Sequence, residues 1–269
     1  MALKAVFKAE LLIQYWWIKG NRWLAGLWLL WPYMAVVVLY VLGTSYGSLE
    51  NLAKSLGVDD PILYLFAASN IAFAATGIID TVVGIATWHR WIGTLPYVYL
   101  QPNRFSSYLV VSGLASSLFN IMENYLAILP GVLIYSGLRG GIGLTVVLLV
   151  LVIGSLPLVG IAVAAALASL IAREEGNVLS FLNPLLLLLS GVFYPVEVLP
   201  RLLQALSAAV PVTYVVQAAR LAASFSHGPG AALYYAAYTL GLMIVVYNTL
   251  SLAVIELGEK SARSRGALA

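Results

Sequence analysis

The sequence predicts an all-α integral membrane protein with six transmembrane helices, an N-terminal amphipathic interfacial helix, and external re-entrant helices between spans five and six. Three observations predict it. Of the 269 residues 62% are hydrophobic and 9% charged, with mean hydropathy +0.95, too few polar groups to clothe a soluble globule of this size. The apolar residues fall into runs long enough to cross a hydrocarbon core about 30 Å thick. One further apolar run, residues 190–221, is cut by Pro195, Pro200 and Pro211 into pieces too short to cross, so it should dip into the membrane and return. Backbone broken in this way survives at membrane depth only where protein or a water-lined cavity covers it.

Residues 1–22 read as the interfacial helix. Leu3, Phe7, Leu11, Tyr15 and Ile18 recur at helical spacing, while Lys4, Lys8, Glu10 and Gln14 fall elsewhere on the wheel. Trp16, Trp17 and Trp23, with Lys19 and Arg22 between them, are anchors for a chain entering the bilayer. The first apolar run follows these residues and is long enough to span, which predicts a retained helix and no cleaved signal.

The transmembrane domain covers residues 23–257. Span one, residues 23–43, contains Pro32 as a kink and presents Trp28, Trp31, Tyr33 and Tyr40. A polar loop occupies residues 44–61. Span two, residues 62–85, carries Asn70 and Asp80 and leads into the segment 88–102. Span three, residues 106–133, ends near Pro130, and Arg139 with Gly137, Gly140, Gly141 and Gly143 forms a turn. Span four, residues 142–172, would be about 46 Å long, so it must tilt, kink at Pro157 or project beyond the membrane. Its small residues Gly154, Gly160, Ala164 and Ala168 permit close helix approach. Span five, residues 178–194, follows the turn 173–177 and runs into the broken segment 195–225. There Pro200 suits the first turn of one short helix, and Thr213 is placed to cap a second. Span six runs to residue 257, and residues 258–269 form a tail.

Six spans put both termini on one side, and the basic residues choose it. With the termini inside, Lys4, Lys8, Lys19, Arg22, Arg90, Arg104, Arg173, Lys260, Arg263 and Arg265 are internal, and Lys54, Arg139, Arg201 and Arg220 are external, ten against four. Both termini, the 88–102 segment and the tail are therefore expected in the cytoplasm. The same scatter of bases at span ends forms no basic face, which excludes nucleic acid as a partner.

Chemistry of the catalytic kind finds little to work with. No phosphate-binding loop of the form Gly-x-x-x-x-Gly-Lys-Ser/Thr occurs, and no nucleophile elbow or zinc-protease helix. Cysteine is absent, which excludes disulfides and thiolate metal sites. His89 and His227 fall in loops on opposite sides and cannot share a metal. Two acids lie within spans. Glu123 shares one face with Ser112, Ser116 and Asn120, a face that must point into the bundle because a charge in hydrocarbon costs about 3 kcal/mol or more. That face reads either as a polar wall of an export path, or a gate, or as an interhelical hydrogen-bond cluster. Asp80, near the cytoplasmic end of span two, either pairs with a base such as Arg173 or reaches the interface. The aromatic residues of span one, Trp28 and Trp31 foremost, either receive flat amphiphiles or pack against lipid and neighbouring helices.

Two stretches carry a family resemblance. Ser190-Gly191-Val192-Phe193-Tyr194-Pro195, then Val198-Leu199-Pro200, then Pro211-Val212-Thr213-Tyr214 and Arg220, resemble the external segment before the last span of ABC-2 type transporter permeases. Arg90, Gly93-Thr94-Leu95 and Pro102 resemble the coupling segment between the second and third spans of that family. His89 stands where a glutamate usually does, and Pro96 replaces a second. The resemblance implies an exporter permease half in the plasma membrane, coupled through residues 88–102 to separate ATPase subunits that hold ATP and magnesium. The chain itself would bind no cofactor. A second permease half, an identical copy or a related chain, would complete the path, and the first helix would also touch the ATPase.

Two rival readings stand beside this one. A stand-alone secondary transporter or channel would need coupling acids or a selectivity filter at the midplane. An intramembrane enzyme would need paired groups at one depth, whereas Asp80 and Glu123 are expected toward opposite faces. Cargo stays open among lipids, glycolipid-linked polymers, peptides and amphiphilic drugs.

Overall fold

The computed structural model describes residues 3–45, 48–99, 104–172, 175–224 and 228–264. Helix accounts for nearly all of them, and no strand occurs among them. An apolar solvent explains this, since a helix pairs its backbone groups within its own segment. Four stretches among the described residues are long and apolar enough to cross a membrane: Arg22–Val41, Pro61–Trp91, Phe105–Leu170 and Gly230–Ser251. A bent pair, Arg201–Ala209 with Pro211–Ala223, would make a fifth. Large apolar side chains such as Trp23, Ile134 and Leu138 face outward, which suits lipid and not water.

Helix α1 (Leu3–Gly20) gives way at Asn21, whose side chain donates to the Trp17 carbonyl at 3.1 Å, to the short α2 (Arg22–Trp28). The predicted kink at Pro32 is instead a break just before it. Proline has no N–H to offer the Trp28 carbonyl, so α2 stops, and Pro32 falls in the first turn of α3 (Trp31–Thr44). The predicted polar loop holds another helix, α4 (Leu49–Leu56). Ser48 caps its start by accepting from the Asn51 amide, and Gly57 closes it at φ 67°.

Helix α5 (Pro61–Trp91) is the post around which the others stand. Asp60 accepts from the Leu63 amide at 2.9 Å, and Pro61 fills the first helical position at no cost. Leu63, Ile71, Ile79, Val82 and Ala86 have no exposure at all, so α5 is covered along its length. A short helix, α6 (Leu95–Tyr99), follows it.

Helix α7 (Phe105–Ala172) would be about 100 Å long if straight, but it reverses at Gly137. That residue sits at φ 62°, ψ −159°, a conformation open essentially to glycine alone. Tyr125 Oη lies 2.9 Å from Thr145 Oγ1, which a straight helix would hold about 30 Å apart. The first half runs antiparallel to α5, since Gly113 faces Val82 and Gly131 faces Phe66. The second half runs parallel to it, since Gly143 faces Leu63 and Arg90 Nη1 reaches the Leu170 carbonyl at 3.5 Å. Predicted spans three and four are thus the two halves of α7. The turn between them is shorter than predicted, because Gly140, Gly141 and Gly143 are already helical, and Pro130 and Pro157 also lie within helical stretches.

Helix α8 (Glu175–Ser190) runs antiparallel to α5: Asn183 meets Asp80, and beyond its end the Val192 carbonyl accepts from Tyr64 Oη. A 3-10 turn at Val196–Val198 leads to α9 (Arg201–Ala209), α10 (Pro211–Ala223) and α11 (Gly228–Ser264). Helices α9 and α10 meet at 89°. The small-residue stripe of the second half of α7 is used as predicted at Gly154, where a methyl group would sit 2.5 Å from Val215 Cγ2. Along the same face Leu240 lies near Gly154 and Ser251 near Gly160, so α11 runs parallel to this half. Helix α3 opposes α5, with Tyr33 against Phe66 and Trp31 against Phe73. Directions therefore alternate: α3, the first half of α7 and α8 run one way, and α5, the second half of α7 and α11 the other.

Candidate functional site

A cavity of about 540 Å³ opens between α1, α2, α3, α5 and the first half of α7. Helical spacing brings its walls together: Phe73, Thr76, Gly77 and Asp80 share one face of α5, and Asn120, Glu123, Asn124 and Ala127 one face of α7. The aromatic lining is Trp17, Trp28, Trp31, Phe73 and Phe119, and no lysine, arginine or histidine lines it among the described residues. Trp28, Trp31, Asn120 and Glu123, which the sequence offers as candidates for a translocation path, all border this one space. Tyr33 does not, because its hydroxyl donates to the Ala127 carbonyl at 2.7 Å.

Asp80 lies on the same cavity and accepts from Asn183 Nδ2 at 2.7 Å. Its predicted partner Arg173 lies outside the described residues. Asp80 and Glu123 border this one cleft from α5 and the first half of α7. Asn120 Nδ2 donates to Thr81 Oγ1 at 3.5 Å. Glu123, half-buried, makes no hydrogen bond or ion pair among the described residues.

The rest of the polar face of α7 has a different use. Ser112 and Ser116 donate to the Glu10 carboxylate at 3.1 and 2.9 Å, and Gln14 Nε2 donates to Ser116 Oγ at 3.4 Å. On that face Ser112 and Ser116 join a hydrogen-bond cluster with Glu10, while Asn120 and Glu123 line the cavity. Helix α1 is held to the bundle by Val6 and by its polar residues, while Leu12, Tyr15 and Trp16 stay exposed.

A second feature is the turn between α5 and α6. The Thr94 amide donates to the His89 carbonyl at 2.9 Å and the Gly93 amide to the Arg90 carbonyl at 3.1 Å, a Schellman closure that requires the left-handed Gly93, φ 71°. His89 locks it further. One ring nitrogen lies 2.9 Å from Thr94 Oγ1 and the other 2.8 Å from Tyr108 Oη on α7. Leu95 is buried beneath the turn, while Trp91 is 87% and Tyr97 71% exposed. Pro102 lies outside the described residues.

At the opposite end, the segment after α8 folds over Arg220. Gly191 turns at φ 71°, and Arg220 Nη2 donates to the carbonyls of Gly191 and Tyr194 at 2.8 and 3.1 Å. Pro195 precedes the 3-10 turn, Pro200 sits at the N-cap of α9 and Pro211 opens α10. Thr213 does not cap α10, as its spacing predicts. Val210 takes the cap position, and Thr213 Oγ1 donates back to the Ser207 carbonyl at 2.9 Å, closing the bend between the two helices. Tyr214 Oη does the same with the Ala208 carbonyl at 2.8 Å.

Sequence reasoning missed Phe73, Phe119 and Trp17 as cavity residues and Tyr64 as the partner of the Val192 carbonyl. An aromatic residue in an apolar span carries no local sign of facing a cavity. No curated protein matches the chain. The sequence model of the ABC-2 type transporter family matches residues 14–223, from within α1 to the end of α10, and so takes in all of the cavity lining but Ile13, the Gly93 turn and the Arg220 segment. Over most of its length, and in an apolar helical fold suited to a membrane, the chain belongs to the ABC-2 type transporter family, as a membrane-embedded permease.

Proposed function

We propose that this permease is the membrane-spanning subunit of an ABC exporter and that it forms, with a second permease half, the path by which a substrate leaves the cytoplasm. The family implies an ATPase partner and a membrane setting. Energy then comes from that partner, since the sequence holds no phosphate-binding loop of its own. The alternation of helix directions supports six crossings, with α2 and α3 as the first and the two halves of α7 as the third and fourth. The basic-residue bias supports cytoplasmic termini. In that topology α9 and α10 form an external re-entrant pair.

The observation that carries the reading is the Gly93 turn. A docking element must transmit force without yielding, and this turn is closed by backbone bonds, braced on α7 through His89 and Tyr108, and tipped with exposed Trp91 and Tyr97. One and two helical turns beyond Tyr108, Ser112 and Ser116 hold Glu10 of α1, and Gln14 of α1 reaches the cavity. Motion at the turn thus has a contiguous polar route to the cavity wall.

The test is co-purification of the chain with its candidate ATPase from native membrane, followed by ATP turnover with Gly93→Asp and Thr94→Arg. A stable complex whose turnover collapses in both variants is expected. No associated ATPase, with vesicle transport driven by an ion gradient, would replace this reading with that of a secondary transporter.

A further inference from the structure

We infer that the cavity between α1, α3, α5 and α7 binds a lipophilic organic cation, and this rests on the reading of the chain as a transport permease. Its volume, about 540 Å³, is that of a site for a drug-sized molecule. Its walls combine two features that seldom coincide by packing alone. Five aromatic side chains, three of them tryptophans, line it, and an aromatic ring face attracts positive charge through its quadrupole. Two carboxylates, Asp80 and Glu123, border the same space, with no basic side chain lining it among the described residues.

The two acids are not equivalent. Asp80 is engaged by Asn183, whereas Glu123 has no hydrogen-bonding or ionic partner among the described residues. A half-buried carboxylate in an apolar protein is costly unless a counter-charge or water meets it. A bound cation supplies that counter-charge, and its apolar substituents would displace water from the tryptophan faces. An anionic or phosphate-bearing cargo would meet two like charges and, among the described residues, no basic side chain. A polymer of neutral sugars would find the aromatic faces but would leave Glu123 unanswered. Substrate chemistry is therefore set here by sign as well as by shape, with Glu123 as the discriminating residue and Trp28 and Trp31 as the stacking surface.

The probes are tritiated tetraphenylphosphonium and, in separate samples, tetraphenylborate, an anion of matching size, on the full chain in lipid nanodiscs corrected for partition into empty nanodiscs. Saturable binding of the cation is expected, weakened about tenfold or more by Glu123→Gln and retained within a few-fold by Glu123→Asp, with no saturable binding of the anion. Absence of saturable cation binding, equal affinity in Glu123→Gln, or saturable anion binding of similar affinity would overturn the assignment. The measurement needs no ATPase, so it separates the two claims. An ATPase complex sensitive to the Gly93 turn, together with failure to bind the cation, would remove the substrate class and leave the exporter; cation binding with no ATPase partner would do the reverse.

Discussion

Arg220 Nη2 lies 2.8 Å from the carbonyl oxygen of Gly191, so the last turn of α10 holds the turn that ends α8. The same nitrogen reaches the Tyr194 carbonyl, and the guanidinium lies 5.8 Å from the Tyr64 ring centre. Tyr64, fully buried on α5, in turn donates to the Val192 carbonyl at 3.0 Å. Non-helical backbone packed inside an apolar protein must have its carbonyls answered. One arginine and one tyrosine answer three of them here.

Replacing Arg220 with alanine should therefore cost about 3 kcal/mol, since hydrogen bonds from charged donors contribute about 1.5–3 kcal/mol and their carbonyl partners would be left unpaired. The expected readout is a lowered melting temperature of the purified chain in detergent, with Arg220→Lys falling between wild type and Arg220→Ala. An unchanged transition in Arg220→Ala would show that water or lipid headgroups satisfy these carbonyls.

Gly93→Ala tests the proposed coupling role of this turn through its backbone alone, because nothing lies within 4 Å of the added methyl group. The left-handed conformation costs an L-residue about 1–2 kcal/mol. Global melting should move little, while ATP turnover of the assembled complex should fall several-fold. Asparagine, which tolerates that conformation better, should be intermediate. Turnover that ignores all three residues would argue against a rigid turn as the transmitting element.

The attachment of α1 depends on Glu10. Glu10→Ala removes the acceptor of both serine hydroxyls of α7 and should weaken the seating of α1 by about 2 kcal/mol. Trypsin cleavage at Lys8 and Lys19 in nanodiscs reports this directly, and it should accelerate by an order of magnitude or more, with Glu10→Gln in between. Equal cleavage rates would mean that Val6 and the lipid surface hold the helix unaided.

Of the close glycine contacts between α5 and α7, that of Gly113 with Val82 is the tightest among the described residues. A methyl group added at Gly113 would lie 2.4 Å from Val82 Cγ2. Overpacking of this kind costs about 1–3 kcal/mol. Gly113→Ala should lower stability, and Val82→Ala in the same chain should restore part of it, a coupling visible in a double-mutant cycle. Strict additivity would indicate that α5 shifts to make room.

The amino-acid sequence alone determined the membrane solvent, the helical class and the sites of chain breaks. These follow from local physics. Apolar runs exclude a water-soluble globule, and Pro61, Pro200 and Pro211 mark helix starts because they lack an amide hydrogen. The family likeness was equally legible, because the Gly93 and Pro195–Pro211 stretches are contiguous in the chain. What only the tertiary structure decided is which polar and aromatic groups share a space. Glu123 and Asp80 are 43 positions apart (123 − 80), and Trp28 stands farther off still. They border one cavity because α7 folds back along α5 and α1 closes the side, and spacing within any one helix carries no record of that. Thr213 illustrates the same limit on a smaller scale. Its position after Pro211 is that of a capping residue, yet its hydroxyl bonds the Ser207 carbonyl because the 89° bend brings that carbonyl within reach.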